Sequence, residues 1–238
     1  MLKNKFVDNK RINSNLLEPQ IQTFDELETF FTTTMPSPSK SVLQTFDDLK
    51  DDQYLREAEW PFRKRSYARG VLTTVGIKWN SGTDFYQPDS LNEYAGNVKR
   101  IFEPACLEIK NFIESLMLSS FYTELINNHS YNFGLHQIRT ITDDDHEGFP
   151  VPEGYHQDGF DFVIIISFQN HNVQGGRCYL RKGSKEGPCV LDQEMHTNDV
   201  LIFNDRRFFH YASPIRPKIS GLGYRDRCVL TFDKVIHE

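Results

Sequence analysis

The sequence predicts a mainly β domain, with an all-β sandwich or barrel in its C-terminal half and helices in front of it. Two observations carry this expectation. Short runs rich in Val, Ile, Thr and aromatic residues follow one another at Tyr131 to Ile141, Asp161 to Phe168, Arg177 to Leu180, Asp199 to Phe203 and Arg227 to Phe232. Turn signals such as Gln174-Gly175-Gly176 and Lys182-Gly183-Ser184 separate them, the pattern of a many-stranded antiparallel fold. Upstream, Val98, Ile101, Phe102, Ala105, Ile109, Phe112, Ile113 and Leu116 recur at three- and four-residue spacing, which predicts one long amphipathic helix with Pro104 near its start.

The remaining elements follow in order. Residues 1 to about 22 are polar and mixed, and the Pro/Ser-rich stretch at 35 to 41 separates two acidic segments, Phe24 to Thr33 and Val42 to Leu55, both read as helices. The first 55 or so residues are thus expected to form a helical cover on a catalytic region running from about residue 60 to 238, all within one domain. Tyr67 to Trp79 reads as a strand, and Ser81 to Asp84 as a turn. The acidic run Asp143 to Glu147 falls in a loop between strands, where such runs are usually solvated surface.

Composition bounds the function. A chain of 238 residues with 38% hydrophobic residues can build one core. With 27 Lys and Arg against 33 Asp and Glu, it lacks the basic footprint expected of a nucleic-acid binder. The apolar run Phe162 to Ile166 is too short to span a bilayer, and the polar N-terminus does not resemble a secretory signal, so a cytoplasmic location without membrane partners is expected. The four cysteines, Cys106, Cys178, Cys189 and Cys228, form no CxxC pair and read as reduced thiols.

The chemistry concentrates around Tyr155-His156-Gln157-Asp158-Gly159. In an extended chain residues i and i+2 point to one face, so His156 and Asp158 can reach one metal from the edge of a buried strand. His210, which follows the strand Asp199 to Phe203, supplies a second imidazole. Two imidazoles and one carboxylate on one face suit non-haem Fe(II) and leave positions open for O2 and a chelating cosubstrate. Arg225 and Arg227 open the last strand on a shared face, and a dicarboxylate cosubstrate needs a planar cationic fork of this kind. Ser213 either bonds the cosubstrate or starts the turn at Pro214.

The sequence resembles the bacterial 2-oxoglutarate/Fe(II) dioxygenases that hydroxylate free amino acids, the L-isoleucine 4-hydroxylase-like group. The similarity rests on Gly134 to Arg139, Tyr155 to Gly159, Gln174 to Gly176, Phe208 to Ile215 and Tyr224 to Phe232, and more thinly on Arg65 to Arg69 and Phe85 to Gln87. It implies a double-stranded β-helix (jelly-roll, cupin-like) core with N-terminal and flanking helices. It further implies Fe(II) on His156, Asp158 and His210, 2-oxoglutarate anchored by Arg225, and O2 as co-reactant. Arg227 departs from the family pattern, in which an apolar residue is commoner. The implied reaction couples oxidative decarboxylation of 2-oxoglutarate to C–H hydroxylation of a small substrate, here a free L-amino acid.

An amino acid needs a cation for its carboxylate and an acceptor for its ammonium. Arg139, with Gln137 on its face, is the first candidate cation. Arg65, Tyr67 and Arg69 share a face and could close the pocket from the front. Asp161, or a lid formed by Asp143 to Asp145 and Glu147, could receive the ammonium. Two other readings stay open: a cupin-like module that binds metal or ligand without turnover, and the same oxygenase acting on a carrier-bound or protein side-chain substrate.

Overall fold

The computed structural model describes residues 29–55, 60–89 and 96–236. Along the chain run β1 (Phe30–Thr34), α1 (Lys40–Gln44), β2 (Lys50–Asp51), β3 (Arg63–Thr73), β4 (Gly76–Trp79), β5 (Asp84–Phe85), β6 (Arg100–Ile101) and β7 (Glu103–Pro104). Then come α2 (Leu107–Met117), α3 (Ser120–Ile126), β8 (Tyr131–Thr142), β9 (Phe162–His171), β10 (Val173–Gly175) and β11 (Cys178–Lys182). The chain closes with β12 (Cys189–Gln193), β13 (Asp199–Asn204), β14 (Phe208–Ala212), β15 (Ile215–Pro217) and β16 (Gly223–Lys234).

The five C-terminal runs are strands, and the front of the chain differs from expectation. Phe30 to Thr33 is not helical: this aromatic and β-branched run forms β1 and pairs antiparallel with β13, from Phe30 opposite Phe203 to Thr34 opposite Asp199. Residues 24 to 28 of that expected helix lie outside the described residues. The helix expected over Val42 to Leu55 is only α1, capped by Ser39, whose hydroxyl accepts from the Val42 amide. The Thr and Asp residues that follow favour turns over helix interior, and the chain becomes extended again at β2. The long helix starts at Leu107, not Val98. Pro104 disfavours a helical conformation at Glu103, so Arg100 to Pro104 is extended, and the apolar period takes hold only beyond it, burying Ile109, Ile113, Leu116 and Met117.

The large sheet has the order β1-β13-β9-β16-β8-β3-β2, with β4 and β7 also paired on β3. A smaller sheet, β12-β11-β14, faces it. Together they form the double-stranded β-helix, or jelly roll. Side-chain alternation divides the buried residues into two layers. Tyr131, Phe133 and Leu135 of β8, with Cys228, Leu230 and Phe232 of β16, pack outward with α1, α2 and α3. Val163, Ile165, Leu180, Leu201, Phe203 and Phe208 fill the space between the sheets. A fully buried Leu or Phe in either layer contributes roughly 1.5–3 kcal/mol. The strand parity that builds these layers also decides which polar residues of β8 and β16 enter the barrel.

Candidate metal centre and its pocket

His156 lies at the mouth of the smaller sheet, directly opposite His210 of β14 in an isolated antiparallel bridge. The His156 amide donates to the His210 carbonyl at 3.1 Å, and the His210 amide donates back at 2.9 Å. Their ring centroids are 4.1 Å apart. Asp158, two residues on, turns to the same side. One of its oxygens lies 3.5 Å from His156 Nε2 and the other 3.5 Å from His210 Nε2. Ligands at about 2.0–2.2 Å from a shared ion can sit this far apart.

Each member is held from behind. His156 Nδ1 donates to the Gly154 carbonyl at 3.0 Å, which turns Nε2 toward Asp158. Gly159, at φ +89°, turns the chain after Asp158, and the Gly159 and Phe160 amides donate to Asp205 Oδ2 at 2.7 and 3.1 Å. Gln87 Nε2 donates to the Asp158 carbonyl at 3.0 Å and to its carboxylate at 3.4 Å, while Gln87 Oε1 accepts from Arg100 at 2.7 Å.

The electrostatics follow from burial and proximity. Burial lowers His210 to about 3, and the charge on His156 adds to the effect. Burial also opposes charge on His156, but Glu153, Asp158 and the Gly154 carbonyl outweigh it and raise this imidazole to about 9. Asp158 is held far below the usual carboxylate range, because its hydrogen bond to His156 and the charges of His210 and His156 overcome burial. Burial and the neighbouring Asp158 push Asp205 up to about 7.

A cavity of about 110 Å³ opens over the three residues. Strand register arranges its sheet wall in rows. Arg63, Thr140 and Arg225 form one row across β3, β8 and β16, and Arg65, Ile138 and Arg227 form the next. The β3 arginines therefore stand about 10 Å from the β16 arginines, two strand spacings away. Arg225 Nη1 donates to the Gly176 carbonyl at 3.2 Å, and its Nε has no partner. Gly176 sits at φ +64°, where a side chain is strained, and a Cβ there would come 2.9 Å from Ile215 Cγ2 and 3.1 Å from that Nη1, crowding the guanidinium. Arg227 is bound by neutral oxygens: its terminal nitrogens donate to the carbonyls of Gln169, Asp226 and Met195 and to Asn170 Oδ1.

With this geometry in place, a model of the 2OG-Fe dioxygenase family matches residues 43–231. The chain belongs to that family. It is a 2-oxoglutarate-dependent dioxygenase that uses Fe(II), 2-oxoglutarate and O2. Among solved structures, a bsmA homologue from Methylobium petroleophilum PM1 superposes with a TM-score of 0.69 at 24% identity, covering 81% of this chain and 79% of that one. IDO from Bacillus thuringiensis superposes at 0.57 with 18% identity over 82% and 84% of the two chains. The Fe(II)/α-ketoglutarate-dependent dioxygenase TqaL gives 0.56 with 15% identity over 84% and 77%. At these identities the likeness is one of fold. No curated protein matches the sequence. No helix among the described residues is long and apolar enough to cross a membrane.

The dioxygenase brings six of the sequence-derived site residues together, His156, Asp158, His210, Arg225, Arg227 and Arg65, and turns most of the others away. Arg139 and Gln137 lie on the helix-facing side of β8. The Arg139 guanidinium forks onto Asp226 at 2.7 and 2.8 Å and reaches Asp47 at 2.7 Å, while Gln137 bonds Ser66 and Thr45. The parity of β8 decides this, since His136, Ile138 and Thr140 are its inward residues. Asp161 pairs with Arg206 at 2.6 Å and accepts from the Lys234 amide. Arg69 pairs with Asp84 near the surface. Ser213 exchanges hydrogen bonds with the Arg177 backbone instead of lining the cavity. Tyr67 shares the face of β3 that bears Arg63 and Arg65, but it packs in an aromatic cluster with Phe85 and Phe102 and stacks on His136 instead of lining the cavity. The acidic run stays at the surface: Asp143 caps its own loop, Asp144 bonds Ser220 and Glu147 pairs with Arg216.

Five residues of the site were not singled out as such from the sequence: Arg63, Arg100, Gln87, Glu153 and Asp205. Arg63 carried a usable signal, since it precedes Arg65 by the two-residue period of the same strand. Glu153, three residues before His156, sits in a Pro/Gly stretch without periodicity, and Asp205 reads as an ordinary turn residue.

Proposed function

We propose that this dioxygenase hydroxylates a free L-amino acid, with Fe(II) held by His156, Asp158 and His210 and the far carboxylate of 2-oxoglutarate held by Arg225, assisted by Arg227. The observation that carries the reading is the convergence of His156 Nε2, Asp158 and His210 Nε2 to within 4.8 Å of one another, beneath a cavity whose wall bears Arg225. The donor set fits the ion, with two neutral-nitrogen donors and one carboxylate, as in facial-triad iron sites. The amino-acid class is supported by the sequence resemblance to free amino-acid hydroxylases and by the small size of the cavity.

The bound iron supplies O2 activation coupled to decarboxylation of the cosubstrate. The chain's own residues do the rest. Gly154 fixes the His156 tautomer, and Gln87 restrains the Asp158 carboxylate through the oxygen that faces His156. The Arg225 fork offers two parallel donors to a carboxylate and sets the cosubstrate's reach. Val151, Ile165, Ala212 and Val229 line the cavity with apolar surface and keep bulk water from the reacting carbon.

Succinate release measured across the proteinogenic amino acids tests the proposal. The expected result is stimulation by one amino acid or a small set of related ones, with a product heavier by one oxygen. Absence of stimulation by any of them, with release restored by a carrier-tethered or peptide-borne residue, would move the substrate out of the free amino-acid class.

A further inference from the structure

Two buried guanidiniums at the β3 side of the cavity make no direct ion pair with a carboxylate among the described residues, and Asp52, Asp158 and Glu153 reach them only at longer range. Arg63 is matched: its Nε donates to Asp52 at 2.8 Å, and both side chains are buried. Arg65 and Arg100 are not. Arg65 is 9% exposed; its Nη2 lies 2.5 Å from His136 Nδ1, its guanidinium lies over the Phe102 ring at 4.4 Å, and its Nε is unpartnered. Arg100 is 2% exposed; its Nη2 donates to the neutral Gln87, it lies over the Phe85 ring at 4.8 Å, and its Nε is unpartnered as well. Phe85, Gln87 and His136 line the same cavity as both arginines, so these neutral groups hold the forks in place without matching their charge.

The same wall contains one carboxylate with an unpartnered oxygen. Glu153 Oε1 is 3.8 Å from His156 Nε2, and Oε2 is buried without a partner. Asp158 is engaged by the two imidazoles, and Asp52 is in direct contact with Arg63, so that Arg65 feels it only at longer range. What remains for a substrate is two cations and one anion. Burying an unmatched charge is costly, so the ligand that fits supplies the opposite set.

We infer that the substrate is an acidic amino acid, with its two carboxylates received by Arg65 and Arg100 and its ammonium by Glu153. Such a molecule carries two negative charges and one positive, the complement of the wall. A neutral amino acid leaves one guanidinium buried and unmatched. The inference rests on the free amino-acid reading above and narrows it. It also explains why the cationic groups fall in two sets: Arg225 and Arg227 of β16 serve the cosubstrate, and Arg65 of β3 with Arg100 of β6 serves the substrate.

The test is anaerobic titration of the Fe(II)- and 2-oxoglutarate-loaded protein, following the visible charge-transfer band and, in parallel, heat of binding. The ligands are aspartate, glutamate and 2-aminoadipate against asparagine, glutamine, norvaline and isoleucine. An acidic member is expected to perturb the band and to bind roughly 30-fold or more tightly than its amide, the penalty for leaving one buried partner unpaired. Arg100→Gln and Arg65→Gln are each expected to reduce that ratio to within a few-fold. If neutral amino acids bind as well as acidic ones or better, the inference is overturned while the amino-acid reading stands. If no amino acid binds at all, both fall.

Discussion

The Asp205 carboxylate lies 3.6 Å from His210 Nδ1, and neither of the two facing atoms has a hydrogen-bond partner. The other Asp205 oxygen receives the Gly159 and Phe160 amides, just past Asp158. One side chain in the turn between β13 and β14 thus braces both halves of the metal centre. Carboxylates behind a ligating imidazole orient it and raise its basicity. Asp205→Ala is therefore expected to weaken Fe(II) affinity by about 10- to 100-fold. Competition with a chelator measures this, and an unchanged affinity in a folded variant would show that Asp205 only shapes the turn.

The two arginines of β16 should separate in their effects. Arg225 is met by one oxygen, the Gly176 carbonyl, and by the Cys178 thiol, and so keeps donors for a ligand, whereas Arg227 is already met by four oxygens. Arg225→Met is expected to raise the KM for 2-oxoglutarate by roughly 30-fold or more, as for removal of one partner from a buried charge pair. Arg227→Leu, which restores the commoner residue type, is expected to raise it by less than about tenfold. Steady-state kinetics on both variants decides, and equal losses would mean that the pair acts as one anchor.

Arg139 should behave as a structural residue. It spans from β8 to Asp226 of β16 and to Asp47 after α1, with Tyr224 stacked on its guanidinium. Arg139→Leu leaves Asp226 buried and unpaired and is expected to cost about 3–5 kcal/mol of stability. Binding of 2-oxoglutarate by the folded variant should change by no more than about twofold. Denaturant melts and calorimetry test the two halves of this expectation separately.

The Asp52–Arg63 pair sets an acid limit on stability. Burial opposes ionisation of Asp52, but Arg63 and Arg65 outweigh it, and the Tyr54 amide adds to the effect, so the folded carboxyl titrates below its ordinary value. A depressed folded value means that the pair's contribution is complete above the unfolded pKa of about 3.9 and disappears as pH falls through the folded value. Asp52→Asn should be less stable than the parent at pH 7 by about 3–5 kcal/mol, with the gap narrowing below about pH 4. A gap that stays constant into acid would remove the electrostatic account.

Some of this was legible in the sequence and some was not, for a physical reason. His156, Asp158 and His210 could be read because metal chemistry restricts residue type and strand geometry fixes the i, i+2 pair. Arg225 and Arg227 could be read as residues of the same cavity because they lie two apart on one strand face. The helix faces of β8 and β16 are as buried as their barrel faces, so no hydrophobic alternation marks which side is inside. Without that mark the parity of β8 was unreadable, and Arg139 was placed on the wrong side of the sheet. At the front, the periodic signal through Arg100 to Pro104 ran across a proline that ends it locally, and Phe30 to Thr33 is short enough for tertiary pairing with β13 to decide its state.

The central claim is that His156, Asp158 and His210 hold the iron on which 2-oxoglutarate binds. Anaerobic titration of the metal-free protein with Fe(II) and then 2-oxoglutarate tests it most directly, with Asp158→Ala and His210→Ala alongside. The account predicts one tightly bound iron per chain and a visible charge-transfer band in the parent protein, with both lost or weakened by at least about 100-fold in each variant. Stoichiometric iron binding with an unchanged band in either variant would contradict it.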